Sequence, residues 1–222
     1  LHTEGTAWAP MLFATAEAAS TEEGAQFMQQ FYPDTYQGES GLRIARTLER
    51  LFRYTTGDAL YADFDVSYEN FFSGKAAMIP NGYWMMDQIP EEWQDKVRFS
   101  AFPENRLISS PETFGWAIVS SYSQEVKEGA AALLKLRTQM NMEQREELFE
   151  QSPDSLTQAE RDYIETYKSG PVLVPNYQVK WNSILQEETL GTILPDLAQG
   201  KISPEEFTKK EDESIQEFLE EQ

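Results

Sequence analysis

The chain has 222 residues, 40% of them hydrophobic and 13% aromatic, enough to pack a core in one large domain or two small ones. Its formal net charge of −20, from 38 acidic and 18 basic side chains, repels polyanions, which argues against nucleic acid and anionic lipid as partners. There is no cysteine, which removes disulfides, thiolate metal sites and cysteine nucleophiles together, and no apolar run approaches the ~20 residues that span a bilayer.

The opening Leu1-His2-Thr3-Glu4-Gly5 has neither an initiator methionine nor the basic and apolar regions of a signal peptide. The sequence is therefore expected to be a piece of a longer protein. Trp8 to Ser20 and Gly24 to Tyr32 read as two helical pieces, the second stopped by Pro33. Glu39 to Thr55 is a clear amphipathic helix: Ile44, Leu48, Leu51 and Phe52 form its stripe, while Arg43, Arg46, Glu49, Arg50 and Arg53 stay outside. Asp63-Phe64-Asp65-Val66-Ser67 opens like a calcium loop but fails as one, with Tyr68 where the loop needs Gly and Gly74 where it needs Glu. Ser67 is instead expected to cap a short helix that buries Phe71 and Phe72, with Gly74 in the left-handed position at its end. Ala76 to Ile79 then reads as a short buried strand, and Asn81-Gly82 as a turn presenting Trp84.

Gln88 to Asp95 is a polar connector carrying Trp93. Val97 to Phe102 alternates as a strand stopped by Pro103, Glu104 to Glu112 is loop, and Phe114 to Val119 has the continuous apolar character of a buried strand. Ser121 to Thr138 is a helix with Val126, Ala130, Leu133 and Leu134 on its buried stripe, and Met142 to Phe149 resumes after a break near Asn141. Thr157-Gln158-Ala159-Glu160 forms a capping box before Tyr163, Ile164 and Tyr167, and Gly170 ends that helix. Pro171 to Pro175 is too enclosed by proline to be a central strand. The last two helices are Trp181 to Leu197 and Ser203 to Leu219, the second with Ser203 as cap, Pro204 first and Glu206 third. Helices interspersed with apolar strands give an α/β expectation.

Enzymatic constellations are scarce. The single His2 has no serine motif near it, and zinc, dinucleotide and P-loop motifs are absent, so no catalytic residue, metal or cofactor is expected. With 38 acidic residues some carboxylate pair always falls at a glycosidase-like spacing, so pairing alone carries no information. The tryptophans are more informative: Trp8, Trp84, Trp93, Trp116 and Trp181. Sugars present flat C–H faces ringed by hydroxyls, which stack on aromatic rings. Taken singly, each tryptophan reads as core, and Trp93 as packing or surface. For Trp84 the turn position, taken together with the family motif in which it lies, favours ligand contact.

Phe71-Phe72-Ser73-Gly74-Lys75-Ala76-Ala77-Met78-Ile79-Pro80-Asn81-Gly82-Tyr83-Trp84 resembles the signature F-x-x-G-K-A-A-M-x-x-x-G-x-W of extracellular solute-binding proteins that feed ATP-binding cassette importers, most closely the sugar-binding group. Similarity extends through Val97 to Pro103, Thr113 to Ile118, the helix Gln124 to Leu136, and the end of the chain from Trp181 through Ala198-Gln199-Gly200-Lys201-Ile202-Ser203-Pro204-Glu205-Glu206 to Leu219. The resemblance implies a periplasmic-binding-protein-like type II fold, α/β, of which this chain would hold the helix-rich C-terminal lobe (1–102 and 141–222) and an N-lobe segment (103–140). It implies a non-catalytic receptor that binds a solute, with carbohydrate the expected class, and delivers it to permease subunits. Its place would be the periplasm or the outer face of the cytoplasmic membrane, as a lipid-anchored protein. The missing N-terminal half of the same protein would be a partner and would supply the other wall of the ligand cleft. Ligand contacts are expected from Trp84 first, with Asn81, Gly82 and Tyr83 shaping its turn, then Trp181, Trp116, Glu4 and Trp8. Two rivals stand beside this: a carboxylate-dependent glycosidase, which would turn over chromogenic glycosides, and a protein-interaction module, whose binding would survive excess free sugar.

Overall fold

The computed structural model describes residues 7–30, 33–109, 117–150, 153–177 and 191–221. Among these, the helices are α1 (Trp8–Ala18), α2 (Glu22–Met28), α3 (Glu39–Phe52), α4 (Phe64–Phe72), α5 (Gln124–Glu150), α6 (Gln158–Lys168), α7 (Leu194–Ala198) and α8 (Pro204–Glu220). The strands are β1 (Arg106–Ser109) and β2 (Val172–Pro175), paired in parallel with Arg106 opposite Val172 and Ser109 opposite Pro175. The described chain is thus mostly helical with a small two-stranded parallel sheet, an arrangement compatible with a coarse α/β class.

The core forms around α1. That helix is apolar almost all round, and its alanines let neighbours approach closely: Ala9, Met11, Leu12, Ala14, Ala16 and Ala18 are all buried. It packs on α2 and α3 and touches both strands, while α3 also meets α7 and α8. The stripe of α3 buries Ile44, Ala45, Leu48 and Phe52, as its periodicity dictates, with Leu51 at the margin. Leu194 and Leu197 of α7 and Phe207 and Ile215 of α8 close the cluster. Both capping boxes form as the sequence specifies, Thr157 with Glu160 and Ser203 with Glu206. Gly74 and Gly170 take positive φ, 78° and 72°, after their helices.

Several local expectations are corrected. Asp63, not Ser67, caps α4: its carboxylate accepts from the Val66 N–H at 2.8 Å, while Ser67 is buried inside the helix with no partner for its hydroxyl among the described residues. The negative charge of Asp63 also suits the positive end of the helix dipole. Ala76 to Ile79 is not a strand. The Ala76 N–H is spent on the Asn70 carbonyl at 2.9 Å, closing α4, and Met78 projects into solvent at 84% exposure. Val97 to Phe102 is likewise irregular, with one isolated bridge from Phe102 to Arg106. Its N–H groups go elsewhere, Val97 to the Trp93 carbonyl and Phe99 to the Asp162 carboxylate.

The sheet lies instead at 106–109, inside the stretch expected to be loop, and at 172–175. Among the described residues each strand pairs only with the other, so the prolines around β2 are tolerated. No break occurs near Asn141, where α5 runs straight through. Of the strand expected at Phe114 to Val119, residues 114–116 lie outside the described residues and 117–119 are irregular. Of the helix expected from Trp181, residues 181–190 lie outside them too, and α7 begins only at Leu194.

Two adjacent acids on α8 have opposite environments. The Asp212 carboxylate faces the loop before α3 and accepts from the Tyr36 N–H at 2.5 Å, the Thr35 hydroxyl at 2.6 Å and the Gln37 amide at 2.8 Å. Glu211 points inward, fully buried, and neither of its oxygens has a hydrogen-bond partner among the described residues. It lines a cavity of about 20 Å³ with Met11, Met28, Tyr36, Leu48 and Phe207. Burial, reinforced by the charge of Asp212, holds the Glu211 carboxyl well above the ordinary range, favouring its neutral form in the core.

Candidate binding ledge

The bend before Trp84 is built by its own side chains. Asn81 Oδ1 accepts from the Gly82 N–H at 2.8 Å, and Asn81 Nδ2 donates to Met85 Sδ at 3.2 Å, tying the bend to a 3-10 turn at Tyr83–Gln88. Met85 is buried and anchors that turn. Gly82 lets the indole approach closely: a Cβ there would lie 2.2 Å from Cη2 and Cζ3 of the Trp84 ring, which would have to move aside. The indole therefore folds back over the glycine, yet remains 48% exposed, and Tyr83 beside it is 58% exposed.

Neither ring stands alone. Trp8, the first residue of the buried α1, reaches Trp84 with ring centroids 6.0 Å apart, tilted by 44°. Tyr83 meets Trp84 edge-on at 6.0 Å and stacks against Tyr163 of α6 at 6.4 Å. Tyr163 in turn contacts Tyr167, one helical turn on, at 6.3 Å, and Phe99 edge-on at 5.3 Å. The result is a continuous row of rings, Trp8, Trp84, Tyr83, Tyr163 and Tyr167, drawn from three separated parts of the chain.

Asp162 fixes α6 in register with this row. It is buried and accepts from Arg98 Nε at 2.5 Å, Arg98 Nη2 at 3.0 Å, the Gln158 amide at 2.8 Å and the Phe99 N–H at 3.1 Å. Burial pushes the Asp162 carboxyl up, but the hydrogen bonds from Arg98, Gln158 and Phe99 together with the guanidinium charge outweigh it and hold the group below its ordinary range. Tyr163, next in sequence, is thereby locked against Phe99 and Tyr83.

The structure thus brings together three of the expected site residues, Trp84, Tyr83 and Trp8, with Asn81 shaping the bend. Glu4, Trp116 and Trp181 lie outside the described residues. Trp93 is a packing residue, edge-on to Phe72 at 5.7 Å with the Lys96 ammonium 5.3 Å from its ring centre. Tyr163 and Tyr167 are additional members of the row. Their i, i+4 spacing on one helix was the available signal, and nothing local showed which surface that face would meet. Among the described residues no group of three or more His, Asp or Glu side chains is placed to hold a metal ion. The exposed rings of Trp84, Tyr83 and Tyr167, backed by the half-buried Trp8 and Tyr163, can stack on flat apolar faces of a ligand. No protein-family model, no curated protein and no solved structure matches the chain.

Proposed function

We propose that this chain is the ligand-holding part of a non-catalytic solute receptor that binds carbohydrate outside the cytoplasmic membrane and delivers it to the permease of an ATP-binding cassette importer. The observation that carries the proposal is the Trp84 ring, half exposed on a glycine bend and continued by Tyr83, Trp8 and Tyr163. A monosaccharide or glycan unit laid on these rings buries its C–H face, and each stacked ring is worth about 1–3 kcal/mol through area and ring–C–H contact. The resemblance of the Phe71-to-Trp84 stretch to solute-binding proteins supplies the transport context. In the finer fold that goes with this proposal, the helical body is a lobe of a periplasmic-binding-protein-like type II receptor. A second lobe from the N-terminal half of the same protein then closes over the ledge by a hinge and shields the ligand.

The experiment is a titration of a panel of neutral mono- and oligosaccharides, read by intrinsic tryptophan fluorescence, with chromogenic glycosides incubated in parallel. The proposal expects saturable quenching or a blue shift with at least one glycan and no glycoside turnover. Turnover, or a flat response across the whole panel, overturns it.

A further inference from the structure

Asn81-Gly82 is the only Asn-Gly pair in the chain. In such a pair one new bond, from the glycine nitrogen to the asparagine Cγ, closes a five-membered ring, and glycine has no Cβ to obstruct it. Whether the ring closes in a folded protein depends on what holds that nitrogen. After Asn70 and Asn141 the next N–H lies inside a helix, and after Asn105 the Arg106 N–H donates to the Phe102 carbonyl at 3.2 Å. Asn70 is also buried, with its amide donating to Asp58 at 2.9 Å. The bend before Trp84 is held differently. Residues 76–82 are irregular, Asn81 and Gly82 are partly exposed, and the Gly82 N–H donates to no backbone carbonyl among the described residues. It donates to Oδ1 of Asn81 itself at 2.8 Å, which holds the two reacting groups against each other and draws electron density off Cγ.

We infer that Asn81 is a site of spontaneous deamidation, through which the bend before Trp84 is remodelled without any enzyme. Hydroxide takes the Gly82 amide proton, and the nitrogen lone pair forms a bond to Cγ of Asn81 while the carbonyl π pair moves onto Oδ1. That pair returns as the Cγ–Nδ2 bond breaks. Nδ2 takes a proton from water and leaves as ammonia, which restores the hydroxide. Water then opens the cyclic imide. Addition at Cγ gives aspartate in the ordinary chain, and addition at the Asn81 backbone carbonyl gives isoaspartate, with the chain running through Cγ. The sum is one water in and one ammonia out, with no change of oxidation state.

Either product puts a carboxylate where an amide donated to Met85 Sδ at 3.2 Å, so the tie between the bend and the 3-10 turn is lost. Isoaspartate also adds a carbon to the main chain just before Gly82, the residue against which the Trp84 indole packs. Trp84 and Tyr83 lose their fixed setting, while the core around α1 and α3 is untouched. The inference rests on the geometry of the bend and not on what the exposed rings bind.

The test is to keep the full chain folded at physiological temperature in neutral and in mildly alkaline buffer. An acidic form, one charge beyond the parental −20, should accumulate on ion exchange, and faster at the higher pH. Peptide mapping and methylation by an isoaspartate methyltransferase should place the change at residue 81, about ten- to a hundredfold faster than at Asn70, Asn105 or Asn141. The rate should stay within about tenfold of that in the guanidinium-unfolded chain, because the fold leaves the Gly82 nitrogen off the backbone ladder and open to water. Asn81→Gln, whose longer side chain needs a six-membered ring, should not accumulate the acidic form. The form separated from the parental chain should show altered tryptophan emission with an unchanged far-ultraviolet circular-dichroism spectrum. Stronger protection by the fold, earlier modification at any of the other three asparagines, or an acidic form with parental emission overturns the inference.

Discussion

At the scale of single residues, the two buried acids Glu211 and Asp162 give the molecule opposite responses to pH. Asp162 is held below its ordinary range by hydrogen bonds and a guanidinium, so its contribution is present above the unfolded pKa and is lost as pH falls through the folded one. Glu211 is raised by burial and by Asp212, so the folded state binds its proton more tightly than the unfolded state does. Its contribution is full below the ordinary carboxyl range and declines as pH rises above it, by about 1.4 kcal/mol per unit for as long as the buried group stays protonated. Urea denaturation between pH 5 and 8 should therefore show stability falling as pH rises. Glu211→Gln, which keeps the shape and removes the titration, should flatten that slope and be the more stable protein at pH 8. A Gln variant with the parental slope contradicts the assignment.

At the scale of elements, α4 shows what a sequence makes legible and what it does not. The helix and its glycine stop are readable from local rules, and Gly74 and both capping boxes behave as those rules require, whereas the expected burial of Phe71 and Phe72 is only partial, with Ser67 and Asn70 the buried residues of the helix. Which of Asp63 and Ser67 starts the helix is not readable, because both are cap residues and the choice depends on where the apolar face meets the body. Asp63→Ala should cost about 1 kcal/mol in thermal or chemical denaturation. Ser67→Ala, which removes a buried hydroxyl without a partner, should be neutral or stabilising. The reverse order of effects would restore Ser67 as the cap. Strand placement failed for a related reason. Apolar runs at 76–79 and 97–102 have strand composition, yet their backbone donors are taken by Asn70, Trp93 and Asp162, none of them near in the pattern that suggested the strands. Val172 to Val174 pairs with residues 106–108, more than sixty positions away and read as loop, so no local signal could have marked the sheet.

At the scale of the whole molecule, the ledge depends on that long-range folding. Trp8 is placed by a helix buried in the core, Trp84 and Tyr83 by a glycine bend, and Tyr163 and Tyr167 by a helix locked through Asp162 and Arg98. Trp84 could be singled out from sequence because bend chemistry and motif coincide there. The ring row could not, since its members come from three stretches and only the fold brings each ring within 6.4 Å of the next. The most direct test is the affinity of Trp84→Ala for the glycan that quenches the parental protein most strongly, measured by calorimetry with Trp93→Ala as the packing control. Loss of the stacked ring should raise Kd by about 10- to 100-fold, equivalent to roughly 1.4–2.8 kcal/mol, while Trp93→Ala binds within twofold of the parent. An unchanged Kd in Trp84→Ala, with the protein folded, would contradict the account.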